Sequence, residues 1–342
     1  MDQRVILAVA GSGKTSFIVD SIDPRRSNLV ITYTDNNYRN LRSKIIRKYG
    51  SIPAGTRIYT YFSFLYSFCL RPFCGDVCDL KGVNFDVPPD YTRRLKRSNL
   101  SHYIDSNRRI YASRIASLIF NFEIAEDVQQ RIKKYFDAIY VDEVQDFAGN
   151  DFNLLLLISN SIDAVLVGDF FQHTYDTSRD GNINNGLHDD YTKYKQAFGE
   201  KGFDIDETAL RKSYRCSPTT CEFVSRVLGI SIDSHHDRES LFQFVDDEML
   251  AESIFHRTHT VKLFYQSHSR YPCNSENWGA SKGIDDYDSV CVVLNNSTEQ
   301  LFRAGQLSKL PPITRNKLYV ACTRARSELL LVPERYVKKY KR

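Results

Sequence analysis

The chain has 342 residues, 42% of them hydrophobic and 26% charged, with a net charge of +4. That is enough apolar residue for real cores and a length for about two domains. No apolar run approaches the ~20 residues a membrane helix requires, and the eight scattered cysteines fit reduced thiols in a cytoplasm better than a disulfide framework.

In chain order, "RVILAV" (residues 4–9), "NLVITY" (28–33), "AIYV" (138–141) and "AVLVG" (164–168) read as buried strands of a parallel sheet. The first strand begins so early that no signal peptide is expected ahead of it. Residues 13–19, 38–48 and 151–159 have the spacing and caps of helices between those strands. Residues 71–137 interrupt the pattern with Pro88-Pro89, the run "RRLKR" and a predicted helix over 107–122, and so read as an inserted helical subdomain. A second set follows: "TVKLFY" (260–265), "SVCVVL" (289–294) and "ELLLV" (328–332), with a predicted helix over 313–324. Residues 226–277 are polar and rich in His and Asp, and only "TVKLFY" within them resembles core. Two α/β units in tandem is the economical reading.

"AVAGSGKT" (residues 8–15) follows the first strand and opens a helix. The small residues Ala10, Gly11, Ser12 and Gly13 let backbone N–H groups and the helix N-terminus face a phosphate. Lys14 would reach the β- and γ-phosphates of ATP, and the Thr15 hydroxyl would ligate Mg²⁺. The octet begins with Ala where the common pattern has Gly.

"YVDEVQDF" (residues 140–147) places two carboxylates at the end of an apolar strand. In phosphate-loop NTPases a carboxylate there holds the metal, a role for Asp142. Its neighbour Glu143 would orient and deprotonate the attacking water.

Gln145 and Asp146 complete the pattern D-E-x-Q-D, and with it the chain resembles the UvrD/Rep/PcrA family of superfamily 1 helicases. The resemblance runs nearly end to end and in the family's order. "ITYTDNN" (31–37) and "TYFSFL" (60–65) resemble its strand-contacting motifs; "VGDFFQHTY" (167–175) and "LRKSYRC" (210–216) resemble the third and fourth. "GASKGIDDYD" (279–288) and "NKLYVACTRAR" (316–326) resemble the closing pair.

The resemblance implies roles. Gln172 would sense the γ-phosphate, with Gln145 bonding across the same cleft, and Arg215 and Arg324 would meet the γ-phosphate as arginine fingers. Tyr214 would stack on the adenine, while Lys282, Gly283 and Asp285 would lie near ribose, phosphate and a DNA-facing loop. Thr32, Tyr33, Thr34 and Asn36 would face a single DNA strand, with Thr60, Tyr61 and Ser63 as further contacts. The basic clusters Arg39/Arg42/Arg47/Lys48 and Arg93/Arg94/Lys96/Arg97 would track its backbone, although each could equally be a solvated helix face.

Departures from the family pattern bear mostly on DNA and base recognition. Thr177 stands where a base-stacking aromatic is usual, Gly279 where a His is usual, Asp285 for Glu and Ser213 for Asn. The adenine-reading Gln, normally well upstream of the phosphate loop, has only Gln3 as a substitute. Cys69, Cys74 and Cys78 are close enough to suggest an iron–sulfur site, but only three are local, and "SHHD" (234–237) is a weaker metal candidate because adjacent His side chains on a loop need not converge.

The expected fold is two RecA-like α/β domains with parallel sheets and nucleotide at their interface. Residues 1–70 and 138–204 would form the first, 71–137 its helical insertion, and 205–342 the second, with a reduced accessory insertion at 226–277. The implied activity is an ATPase and translocase on single-stranded DNA, moving 3′ to 5′, within a complex that includes a protein partner such as an anti-phage nuclease. The alternative is a regulatory ATPase subunit that senses nucleotide or DNA and controls that partner. The exposed polar stretch 226–277 is the expected docking surface.

Overall fold

The computed structural model describes residues 2–74, 78–174, 183–284 and 286–342. Its contacts divide the chain into two compact units. One gathers Thr15–Gly168 with the first strand and the stretch that ends at Asp206; the other gathers Leu7–Lys14, the segment opening at Asp169, and Glu207–Arg342. Each is an α/β unit on a parallel sheet, as expected of RecA-like domains.

The first unit has a six-stranded sheet in the order Thr56–Thr60, Asn28–Thr32, Ala138–Asp142, Asp163–Gly168, Gln3–Leu7, Asp204–Asp206. Asn28–Thr32 and Ala138–Asp142 are buried at every position, because helices cover both faces of a parallel sheet and leave no side of the strand wet. The helix Asp35–Tyr49 shows why the local sequence stops and starts where it does. The Thr34 hydroxyl accepts the Asn37 N–H at its start, and Gly50, at φ 77°, donates to the Ile46 carbonyl at its end. Leu41 and Ile45 face the core.

The insertion is less helical than its sequence suggests. Gly82–Asn84 pairs in parallel with Arg109–Tyr111, and the helix expected over 107–122 begins only at Ile115. Asp105 is the cause: its carboxylate accepts the N–H groups of Asn107 and Arg109, both at 2.9 Å. That Asx-type turn, with Arg108 at φ 58°, sends the chain into a strand instead.

The second unit has a five-stranded sheet in the order Leu241–Phe244, Glu328–Pro333, Ser289–Leu294, Thr260–Phe264, Ser275–Asn277, all parallel. Alternate residues of its central strands feed two cores. Val290, Val292 and Leu294 pack with Leu329, Leu331 and Trp278, and Cys291 and Val293 pack with Phe264, Leu330 and Val332.

This sheet corrects the reading of 226–277 as an exposed polar insertion. Leu241–Phe244, Thr260–Phe264 and Ser275–Asn277 all come from that stretch. Two of them are the edge strands, where one side faces water and a half-polar sequence such as "SEN" is at home. Trp278, fully buried, donates its indole N–H to the Leu263 carbonyl at 2.9 Å and fastens the far end of the stretch to the sheet.

Candidate functional site

In the parallel sheet of the first unit, the residues singled out by sequence follow the carboxyl ends of strands: Tyr33 after Asn28–Thr32, Tyr61 after Thr56–Thr60, Glu143 after Ala138–Asp142. Ligands of open α/β sheets bind at that edge.

Within the first unit the Thr15 hydroxyl donates to Asp142 Oδ2 at 3.1 Å, and the other Asp142 oxygen accepts the Glu143 N–H at 3.0 Å. Asp142 is buried, so the carboxylate is fixed in place. Glu143 adopts the left-handed conformation, φ 60° and ψ 44°. A non-glycine residue held there costs about 1–3 kcal/mol and persists where its surroundings over-determine it. Gln145 is one such restraint: its side-chain amide donates to the Glu143 carboxylate. Gln145 in turn packs against Gly168 so closely that a Cβ there would overlap its side chain.

The phosphate-loop residues up to Lys14 cluster with the second unit. Gly11 and Gly13 take φ of 70° and 88°, which L side chains rarely adopt. Gly11 also lies against the Ser213–Arg215 segment. A Cβ on it would come within 2.7 Å of Arg215 Cβ, and its carbonyl accepts the Tyr214 N–H at 2.8 Å. Tyr319 holds the same loop from another side: its hydroxyl accepts the Ala10 N–H at 2.8 Å and donates to Asp169 at 3.0 Å. The sequence reading missed Tyr319, although it sits in the closing motif "LYVACTRAR".

The loop fits a phosphate chain by its own geometry. It opens the helix Lys14–Ser21, and the buried Ser12 hydroxyl has no hydrogen-bond partner among the described residues. An orphaned polar atom in a glycine-shaped cradle is what a missing anionic ligand leaves behind. Thr15 with Asp142 offers the hard oxygen donors that suit Mg²⁺.

The expected arginine fingers both belong to the second unit. Arg215 donates to the Thr323 carbonyl at 3.1 Å. Arg324 is 1% exposed and donates to the carbonyls of Val320 at 3.2 Å and Ile284 at 3.0 Å. Arg324 is thus built into the fold. Gln172 is buried at the end of a short turn capped by Asp169. Tyr214 is 60% exposed and meets His235. Lys282 is half-buried and Gly283 takes φ 81°; Asp285 and Thr177 lie outside the described residues.

The expected DNA face divides into a surface and an interior. Tyr33, Thr34, Thr60 and Ser63 line a groove of about 420 Å³ together with Phe62 and Phe85, and Asn36 is exposed close by in the chain. Thr32 and Tyr61, both expected to contact the strand, are instead fully buried. Thr32 lies in the buried strand itself, and the Tyr61 hydroxyl donates to Asp151 at 3.1 Å. The groove carries a run of edge-on rings: Tyr33 to Phe62 at 5.6 Å and Phe62 to Phe85 at 5.4 Å. Phe85, 70% exposed, comes from the insertion, and no spacing in the sequence links it to Phe62. The basic clusters are partly engaged locally, Lys48 with Asp20 at 2.8 Å and Arg97 with Ser117 at 3.1 Å.

All eight cysteines are free thiols, Cys69, Cys74 and Cys78 buried. Burial pushes the Cys69 thiol up, and burial next to Cys78 pushes Cys74 to about 12. Among the described residues no group of three or more His, Cys, Asp and Glu side chains is gathered as a metal site, and no helix is long and apolar enough to cross a membrane.

Neither a protein-family model nor a curated protein matches the chain. Two solved structures that resemble it are of the arterivirus nonstructural protein 10 helicase. The complex with DNA aligns over 97% of this chain at 14% identity and a TM-score of 0.49. A crystal structure of the same helicase aligns over 96% at 15% identity and 0.45. This chain spans 60% and 59% of their lengths.

Proposed function

We propose that the chain is an ATP-hydrolysing nucleic-acid motor of the superfamily 1 helicase kind, similar to the UvrD/Rep/PcrA group. It translocates on single-stranded DNA, 3′ to 5′, and works with a protein partner such as a nuclease. The observation that carries the reading is the contact between the Thr15 hydroxyl and Asp142, brought together at 3.1 Å across 127 residues of chain.

Thr15 and Asp142 would hold Mg²⁺, which supplies charge neutralisation at the phosphates. Ser12, Lys14 and the loop N–H groups bind the phosphate chain. Glu143, restrained by Gln145, takes the proton of the attacking water, and Gln172 senses the γ-phosphate. Arg215 and Arg324 stabilise the charge that spreads over the transferred group. The Tyr33–Phe62–Phe85 groove takes bases, whose π-faces stack on rings without regard to sequence, and Thr34, Thr60 and Ser63 take phosphates.

The test is ATP hydrolysis by the full chain with and without single-stranded DNA, alongside a strand-displacement assay on duplexes with either a 3′ or a 5′ tail. DNA-stimulated hydrolysis with displacement from the 3′ tail supports the motor. Stimulated hydrolysis without displacement assigns the chain to controlling its partner instead. A chain that hydrolyses no nucleotide under any condition is not an NTPase.

A further inference from the structure

A single exposed ring on a protein surface needs no explanation, but Tyr214 is met by a second ring. The His235 imidazole lies 4.0 Å from it, centroid to centroid, at 46°. The backbone imposes this pairing. Lys212–Ser213 runs parallel to Asp233–Ser234, and the His235 N–H donates to the Ser213 carbonyl at 2.9 Å. The Ser234 hydroxyl donates to the Cys216 carbonyl at 2.9 Å and fastens the same turn.

The ring pair is also tied to the phosphate loop. Tyr214 donates its N–H to Gly11, and its ring lies 3.8 Å from where a Gly13 Cβ would stand. Beside it opens a cavity of about 300 Å³, lined by Ser12, Lys212, Tyr214, Asp233 and His235 with the segment before them. That volume is at the small end of ligand sites, which run from about 300 to 1,000 Å³. Asp233 is paired with Arg211 at 2.9 Å, so these two rim charges offset each other. The cavity therefore offers an aromatic wall, with the Lys212 charge at its rim, next to a loop shaped for phosphate.

We infer that this cavity is the base pocket of the nucleotide site, and that His235 joins Tyr214 as its aromatic wall, selecting a purine by stacking area. The inference rests on the nucleotide reading and adds a residue to it. It also accounts for the His pair of "SHHD": His235 turns to Tyr214, whereas the His236 ring accepts the Arg238 N–H at 3.2 Å, so the two imidazoles serve different neighbours.

Isothermal titration of the full chain with Mg·ADP, Mg·CDP and inorganic pyrophosphate tests it. Wild type is expected to bind ADP more tightly than CDP. His235→Ala should weaken ADP roughly five- to tenfold, the size of one aromatic contact, and leave pyrophosphate unchanged. His235→Phe should keep the wild-type ADP affinity, because the ring survives. Unchanged ADP affinity in His235→Ala, or equal weakening of ADP and pyrophosphate, overturns the pocket while leaving the nucleotide reading standing. A wild-type chain that binds neither ADP nor pyrophosphate overturns both.

Discussion

Tyr319 and Ala10, 309 positions apart, meet at 2.8 Å, the phenol oxygen accepting the backbone N–H. The same hydroxyl donates to Asp169 at 3.0 Å, and all three residues are buried. Burial, with the Asp169 carboxylate next in effect, raises the Tyr319 pKa and keeps the phenol protonated. One hydroxyl thus ties the phosphate loop to the segment that carries Gln172.

Tyr319→Phe removes that tie and leaves a buried N–H and a carboxylate oxygen without this partner. The expected cost is about 1–3 kcal/mol of stability, with weaker ADP binding because the loop loses a restraint. A thermal melt and an ADP titration read both quantities. If neither moves, Tyr319 plays no part in shaping the loop.

Glu143→Gln keeps shape and polarity but cannot accept the water's proton. Turnover should fall by at least about a hundredfold while ADP–Mg²⁺ affinity is retained. Lys14→Ala should instead weaken nucleotide binding itself. Wild-type turnover in Glu143→Gln would remove Glu143 from the chemistry.

The two arginines should separate in their stability. Arg215 is half-buried where it donates to the Thr323 carbonyl, so in Arg215→Ala hydrolysis should fall by roughly a thousandfold with a smaller change in melting than at the fully buried Arg324. Arg324 is buried on two carbonyls, and Arg324→Ala should lose hydrolysis and also about 2–3 kcal/mol of stability. Equal melts for the two variants would contradict the structural share assigned to Arg324.

Asp151 is fully buried and accepts the Tyr61 hydroxyl, and its second oxygen has no partner among the described residues. Burial pushes its pKa up to about 7, against the smaller lowering effect of the Tyr61 bond. The folded state therefore holds a proton that the unfolded state has released above its ordinary value of 3.8. The sign follows: this group's contribution is fully present below pH 4, declines as pH rises from about 4 to 7, and is lost above. Asp151→Asn keeps the neutral shape at every pH. Its stability relative to wild type should therefore rise between pH 5 and pH 8, by an amount on the order of 1–3 kcal/mol. Urea melts at both values measure it, and a difference independent of pH would show that Asp151 is ionised in the folded chain.

The sequence by itself determined the parts whose chemistry is local. Lys14 and Thr15 follow a glycine-rich turn between a strand and a helix, and Asp142 and Glu143 end an apolar strand. A parallel sheet then has only one edge at which those ends can face a ligand. The alternation of apolar strands and helices carried the two α/β units for the same reason. What the tertiary structure decided is which side chains meet. Thr32 and Tyr61 look like their solvent-facing neighbours in sequence, yet both are buried, because the helices over the sheet decide which faces stay wet. Residues 226–277 read as a polar surface insertion, but edge strands tolerate half-polar sequence and three strands of the second sheet lie there. Phe85 against Phe62, His235 against Tyr214 and Tyr319 against Ala10 join segments from different parts of the chain. No periodicity records such meetings, since each is fixed by how the sheets, turns and helices pack after the local elements have formed.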